Sequence, residues 1–204
     1  MQLIDNNESI HMQKTLYSKY FKGLLDLMVA LVATVILIPI FMIIGIAIKV
    51  DSKGPILFKQ PRIGMNRKIF YIYKFRTMHT TAPSQGRSPT SKDDPRITRV
   101  GKILRKTSLD ELPQVFNIVK GQMSFIGPRP EQQIIVEQFY TEYENQRFYV
   151  KPGITGLWQI SLDRTKPIHE NLQYDFYYIS NMNFLLDVKV LVKTVQVMLR
   201  SNTY

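Results

Sequence analysis

Two carboxylates stand side by side in the stretch Thr107-Ser108-Leu109-Asp110-Glu111-Leu112-Pro113-Gln114, directly after a strongly basic segment. Adjacent carboxylates repel each other, and that repulsion is tolerated most readily where a cation or phosphate chemistry needs both. Asp110 and Glu111 are therefore candidates for a catalytic pair. The same stretch has a second reading, because Ser108 and Glu111 satisfy the Ser-x-x-Glu capping-box pattern at the head of an apolar helix. Spacing alone does not separate cap from catalyst, and one stretch can serve both roles. Further along, Gly127-Pro128-Arg129-Pro130 is a rigid turn that fixes an arginine, whose planar fork can clamp two phosphate or carboxylate oxygens at once.

The charge around the pair points the same way. The 204-residue chain carries 27 Lys and Arg against 16 Asp and Glu, a net charge of +11. Residues 49–106 hold 15 of those cations against Asp51, Asp93 and Asp94, an excess of +12 that leaves −1 for the rest. One basic block of this size calls for an anionic partner: nucleic acid, a membrane surface or a phosphorylated substrate. Nucleic acid is disfavoured, since the block has no recognised nucleic-acid motif and abuts two carboxylates. With no cysteine in the chain, disulfides, thiolate metal sites and thiol nucleophiles are excluded. There is no P-loop, dinucleotide fingerprint, His-based metal motif or internal repeat.

The elements that must position these residues follow from patterning. Residues 1–18 form a polar tail without the marks of a secretory signal. Leu24 to Ile48 is a run of 25 residues whose only charge is Asp26; as a straight helix it would measure roughly 37 Å, enough to cross a bilayer. Pro39 interrupts it by removing a backbone hydrogen bond. Lysines flank both ends (Lys14, Lys19 and Lys22 before, Lys49, Lys53 and Lys59 after), so a hairpin bent at Pro39 with both ends cytoplasmic suits the positive-inside rule better than a crossing. Residues 19–49 thus read as a membrane helix and 50–204 as one domain on the cytoplasmic face.

Within that domain, strands are expected near Ile56–Phe58 and Lys68–Phe75, and a loop that could act as a lid over Thr80–Pro95. Arg96, Arg99, Lys102, Arg105 and Lys106 recur at helical spacing and lead into a helix from Ser108 to about Gly121. A helix is expected from Glu131 to Asn145. Lys151-Pro152-Gly153-Ile154-Thr155-Gly156 reads as a glycine-punctuated loop that lets a ligand approach the backbone. Phe184 to Arg200 reads as an amphipathic helix with a basic face, suited to lying in the lipid interface. The fold class is α/β, mainly helical with a small β element.

With these residues in view, the chain resembles the bacterial sugar transferase family, the monotopic polyprenyl-phosphate sugar-1-phosphate transferases, in a small minimal form. The resemblance runs from about Lys19 to Leu199. It is carried by Asp51-Ser52-Lys53-Gly54-Pro55, Gln60 and Arg62, Tyr73-Lys74-Phe75-Arg76-Thr77-Met78, Ser108 to Gln114, Gly127-Pro128-Arg129-Pro130 and Lys151 to Gly156, all in order. It implies a re-entrant helix broken at Pro39, a catalytic dyad at Asp110 and Glu111, and a magnesium ion held by the same two residues. It further implies a UDP-sugar donor, an undecaprenyl phosphate acceptor, membrane lipids as partners, a bacterial inner-membrane location and room for a homodimer. Asp110 would be the nucleophile and Glu111 mainly the metal ligand. Arg105 and Arg129 match the family's phosphate-side and nucleotide-side arginines, Lys74 and Arg76 its basic strand motif, and Pro128 and Pro130 frame Arg129. Two positions depart from the family: Ile38 precedes the kink proline where serine is frequent, and Ser161-Leu162-Asp163-Arg164 stands where Gly-Arg is common. The competing reading is a basic membrane-peripheral module that binds anionic lipid or nucleic acid without catalysis.

Overall fold

The computed structural model describes residues 15–83, 89, 91 and 93–200. Residues 1–14 of the expected tail and the middle of the expected 80–95 loop lie outside the described residues. After a π-helical turn (Tyr17–Phe21), the chain forms α1 (Lys22–Asp51), β1 (Leu57–Ile63), β2 (Ile69–Phe75) and α2 (Arg99–Lys106). A 3-10 segment (Leu109–Gln114) leads into α3 (Val115–Val119), then β3 (Ser124–Ile126), α4 (Gln133–Phe139), α5 (Glu142–Asn145) and β4 (Gly153–Thr155). The chain ends in α6 (Gln173–Asn181) and α7 (Phe184–Arg200). It is mainly helical, with two separate two-stranded sheets: β1–β2 antiparallel and β3–β4 parallel.

α1 is helical on both sides of Pro39 and, at 30 residues, roughly 45 Å long. Its sequence has no polar face, yet it docks by a single stripe. Asp26, Ala30, Ile44, Gly45 and Ile48 are buried, at spacings that return to the same side of a helix, while Leu24, Met28, Val35, Ile36, Ile43 and Ile46 are exposed. The stripe meets two clusters: Ala30 packs with Phe70, Ile72, Val115, Ile118 and Met123, and Ile44 and Ile48 pack with Phe75 and Leu104. Polar contacts fasten both ends to the same body. At the start, Lys22 Nζ lies 2.7 Å from Asp187 Oδ2, and Phe125 N donates to Asp26 Oδ1 at 3.3 Å. At the end, Val100 N donates to Asp51 Oδ2 at 3.0 Å.

β2 alternates as expected, burying Phe70 and Ile72, whereas β1 extends to Ile63, well past the expected Phe58. The extension passes through Pro61, which weakens a strand signal in sequence but is tolerated at the edge of a two-stranded ladder. Asn66 and Arg67, both at positive φ, turn the chain between the strands. Three helical expectations change. Ser108 sits at φ 55° with no side-chain cap, so the capping box expected there does not form. The helix after it begins as a 3-10 segment containing Pro113 and ends before Gly121, whose φ of 72° supplies the expected stop. A real capping box lies elsewhere: Thr141 and Glu144 cap each other and split the expected Glu131–Asn145 helix into α4 and α5. α7 spans the expected residues.

α2 approaches the end of β2 so closely that a Cβ on Gly101 would fall 2.1 Å from Thr77 O. In an exposed helix Gly→Ala gains up to about 1 kcal/mol. Here Gly101→Ala should instead cost about 1–3 kcal/mol, because the intruded atom is backbone. Thermal unfolding of the variant in detergent micelles checks the sign.

Candidate active site

The 3-10 segment bearing Asp110 and Glu111 lies against β2, and the fastening between them starts from Asn117 on α3. Asn117 is fully buried; it accepts from Tyr73 N at 3.0 Å and donates to Tyr71 O at 2.7 Å. It thereby supplies the hydrogen bonds that a further strand would give to the free edge of β2. Lys74 follows Phe70 and Ile72 at the strand period and reaches the site: its Nζ donates to Glu111 Oε1 at 2.6 Å. Arg129 Nη2 donates to the same oxygen at 3.3 Å.

The two carboxylates are thus treated differently. Glu111 accepts from two cations, while none of the described residues donates a hydrogen bond to the Asp110 carboxylate. Burial opposes the charge on Glu111, but Lys74 and Arg129 outweigh it and hold the carboxyl down at about 2. Burial dominates at Asp110; with Glu111 adding repulsion against Lys74, Arg105 and Arg129, its carboxyl is pushed up to about 6. The pair divides into a firmly ionised, anchored carboxylate and a less comfortable, unanchored one. That split is the usual mark of two acids with different tasks.

The other expected residues fall into two sets. Arg105, on the last turn of α2, donates from Nε to Thr77 Oγ1 at 2.9 Å and is close enough to lower the carboxyl of Asp110. Arg76 points away from the pair: buried, it donates from Nη2 to Ser52 O at 2.7 Å and Ser52 Oγ at 2.8 Å, at the C-terminal end of α1. A cation at a helix C-terminus also meets the negative end of the helix dipole. Arg76 therefore locks the long helix to the strand that carries Lys74. Arg62, on β1, is crowded by burial and by Arg129, which together push its guanidinium down to about 10.

Pro128 and Pro130 hold Arg129 in a turn packed backbone to backbone on the Lys151–Gly156 segment. A Cβ on Gly153 would meet Gly127 N at 2.1 Å, and one on Gly156 would meet Gly127 O at 2.3 Å. These glycines serve a close approach between chain segments; the expected close approach of a ligand is not where their hydrogens point. Sequence reasoning gave no task to Thr77, Asn117 or Arg147. Contacts remote in sequence reveal their tasks: Thr77 accepts from Arg105, Asn117 bonds Tyr71 and Tyr73, and Arg147 donates to Arg129 O.

Comparison with known proteins finds likeness along most of the chain. The sequence profile described as bacterial sugar transferase matches residues 17–201. A UDP-N-acetylgalactosamine-undecaprenyl-phosphate N-acetylgalactosaminephosphotransferase of Aeromonas hydrophila is 39% identical over 185 residues, covering 88% of this chain and 44% of that protein. A UDP-glucose:undecaprenyl-phosphate glucose-1-phosphate transferase of Klebsiella pneumoniae is 40% identical over 182 residues, covering 86% of this chain and 39% of that protein. An exopolysaccharide production protein of Rhizobium leguminosarum bv. phaseoli is 39% identical, and there the match covers 85% of this chain and 92% of the relative. The chain thus spans less than half of the first two relatives and nearly all of the third. With the profile running through every segment that builds the carboxylate pair and its cations, the chain belongs to the bacterial sugar transferase family.

Proposed function

We propose that this chain is a phosphoglycosyl transferase that moves a sugar 1-phosphate from a UDP-sugar to undecaprenyl phosphate, releasing UMP, through a covalent intermediate on Asp110. The observation that carries the reading is the asymmetry of the pair: Glu111 is held by Lys74 and Arg129, while the Asp110 carboxylate has no hydrogen-bond donor among the described residues. An unanchored carboxylate is free to attack, and burial has already removed part of the hydration that would blunt it. In the first step an Asp110 oxygen attacks the phosphorus that bears the sugar, and the bond to UMP breaks. In the second, a phosphate oxygen of the lipid attacks the same phosphorus and Asp110 leaves as a carboxylate. Covalent catalysis lets one site take two bulky substrates in turn.

Lys74, Arg105 and Arg129 surround the pair with positive charge, without which an anionic nucleophile would be repelled by a diphosphate. Pro128 and Pro130 keep Arg129 in place for the nucleotide side. Magnesium fits the donor set: it is commonly held by one or two carboxylates with substrate phosphates and water completing its shell. Asp110 and Glu111 would hold it, and no third acidic or histidine ligand joins them among the described residues. Bound there, it would neutralise phosphate oxygens and relieve the repulsion between the two carboxylates.

α1 supports a membrane placement. Its exposed face is a continuous apolar surface far larger than water tolerates on a soluble protein. Because one domain holds both of its ends, by Lys22–Asp187 and Val100–Asp51, an arrangement that enters and leaves the bilayer on one face suits it better than a crossing. We place the domain on the cytoplasmic face of the bacterial inner membrane, as a step in building a lipid-linked glycan such as a capsule, an exopolysaccharide or a glycoprotein glycan, with α7 at the interface.

Incubation with a panel of UDP-sugars and undecaprenyl phosphate should release UMP for at least one sugar, only with magnesium. Asp110→Asn should cut that release at least about a thousand-fold. Release of UMP at the wild-type rate by the variant would sink the nucleophile assignment; salt-sensitive DNA or lipid binding without turnover would favour a non-catalytic module.

Asp110 also sets a pH-dependent cost. Its folded pKa, about 6, lies above the ordinary carboxyl range, so the unfolded chain ionises first and stability falls as pH rises from about 4 to about 6. In the magnesium-free protein, Asp110→Asn should therefore raise the melting temperature at pH 7.5 by about 2–4 °C, with the gain vanishing toward pH 4. Differential scanning fluorimetry across that range reads it directly, and a variant less stable at pH 7.5 would contradict the burial argument.

A further inference from the structure

The turn that carries Arg129 has an unusual hydrogen-bond problem. Pro128 and Pro130 have no N–H, so the segment cannot form a continuous strand ladder or a helix, and its carbonyls must find donors elsewhere. Four successive carbonyls do so, with donors from three places in the chain. Gly153 N donates to Pro128 O at 2.8 Å and Ile63 N to Glu131 O at 3.0 Å. Between them, Arg147 Nη2 donates to Arg129 O at 2.7 Å and Arg62 Nη1 to Pro130 O at 3.2 Å.

Arg147 is the notable donor. Its side chain is wholly buried, yet it carries a charge: Nη1 donates to the Tyr140 hydroxyl at 2.7 Å, and Nη2 lies 2.6 Å from Asp175 Oδ2, itself 3% exposed. A buried ion pair of this kind is a weak source of stability, since apolar residues of similar volume commonly serve as well or better. What the planar fork does supply is direction. Tyr140 and Asp175 fix the guanidinium, and the guanidinium fixes the carbonyl of the one residue in the turn whose side chain reaches Glu111, at 3.3 Å.

We propose that Arg147 is a positioning residue, oriented by Asp175 and Tyr140, that holds the main chain at Arg129 so that the Arg129 side chain meets Glu111 and the substrate phosphates. The inference rests on the transferase reading above for its kinetic consequences, but not for its geometry. Arg147 touches neither carboxylate; it acts through Arg129 alone.

The test is a double-mutant cycle on the full chain in detergent or nanodiscs. Arg147→Met combined with Asp175→Leu replaces the buried pair by apolar volume, and Arg147→Lys keeps a charge opposite Asp175 without the fork. Each is made in the wild-type and the Arg129→Ala backgrounds. We expect kcat/KM for the UDP-sugar to fall by up to about 100-fold in the first background, the scale of an ångström misplacement, and by less than about threefold in the second, where there is no arginine left to position. Melting temperatures should stay within roughly 3 °C of the parent in both. Equal losses in both backgrounds would show a merely structural role and overturn the proposal, as would undiminished turnover; if the apolar pair fails to fold, the Arg147→Lys cycle decides by the same criterion. A second readout needs no turnover. The rate at which phenylglyoxal modifies Arg129, followed by peptide mass spectrometry, should rise severalfold in either Arg147 variant, and an unchanged rate would overturn the proposal. Absence of UDP-sugar turnover in the wild type would count against the transferase reading instead, with the labelling arm still deciding this one.

Discussion

Two carboxylates on neighbouring residues cannot share one environment without cost, and this molecule separates their environments. Lys74 and Arg129 converge on one oxygen of Glu111, while Asp110 is left half-buried and without a hydrogen-bond donor among the described residues. The proposed chemistry on a diphosphate needs that separation, because an acid already held by two cations is a poor nucleophile and a fully hydrated one is a slow nucleophile. In that proposal, the cations that anchor Glu111 also keep the neighbourhood positive enough for an anion to attack an anion.

Much of the remaining structure keeps those cations in place. Lys74 is delivered by β2, whose free edge is completed by Asn117 and whose far end is tied by Arg76 to the end of α1. Arg129 is delivered by a proline-framed turn pinned at successive carbonyls by Arg147 and Arg62 and packed against the Gly153–Gly156 backbone. α1 therefore does more than present an apolar surface. Its buried stripe is part of the core beneath β2, so the long helix and the strand that delivers Lys74 are packed as one unit.

The residues to which we assign the chemistry were legible in the sequence because their types are conspicuous: paired acids, a proline-locked arginine, a basic block, an apolar run broken by one proline. Chain-long order among those motifs was enough to suggest the family. The supports were not legible, for a physical reason. Asn117, Thr77 and Arg147 bond to Tyr71, Arg105 and Arg129, which lie 46, 28 and 18 positions away, and no periodicity records such contacts. Local patterns misled where two solutions compete. Ser108 and Glu111 spell a capping box, but the left-handed backbone at Ser108 and the early Pro113 favour a 3-10 segment, and Glu111 is drawn to Lys74 and Arg129. Arg76, conspicuous as a cation in a strand motif, is turned to the end of α1, which periodicity along β2 alone could not foretell.

The central claim is that Asp110, and not Glu111, forms the bond to the phosphosugar. It is tested most directly by incubating the protein with its UDP-sugar and magnesium while withholding undecaprenyl phosphate, quenching in acid, and mapping the adduct by mass spectrometry. The account predicts one sugar-phosphate mass added on the peptide that contains Asp110, lost on adding the lipid and absent in Asp110→Asn. An adduct on Glu111, or UMP formed in step with lipid product and no adduct at all, would contradict it.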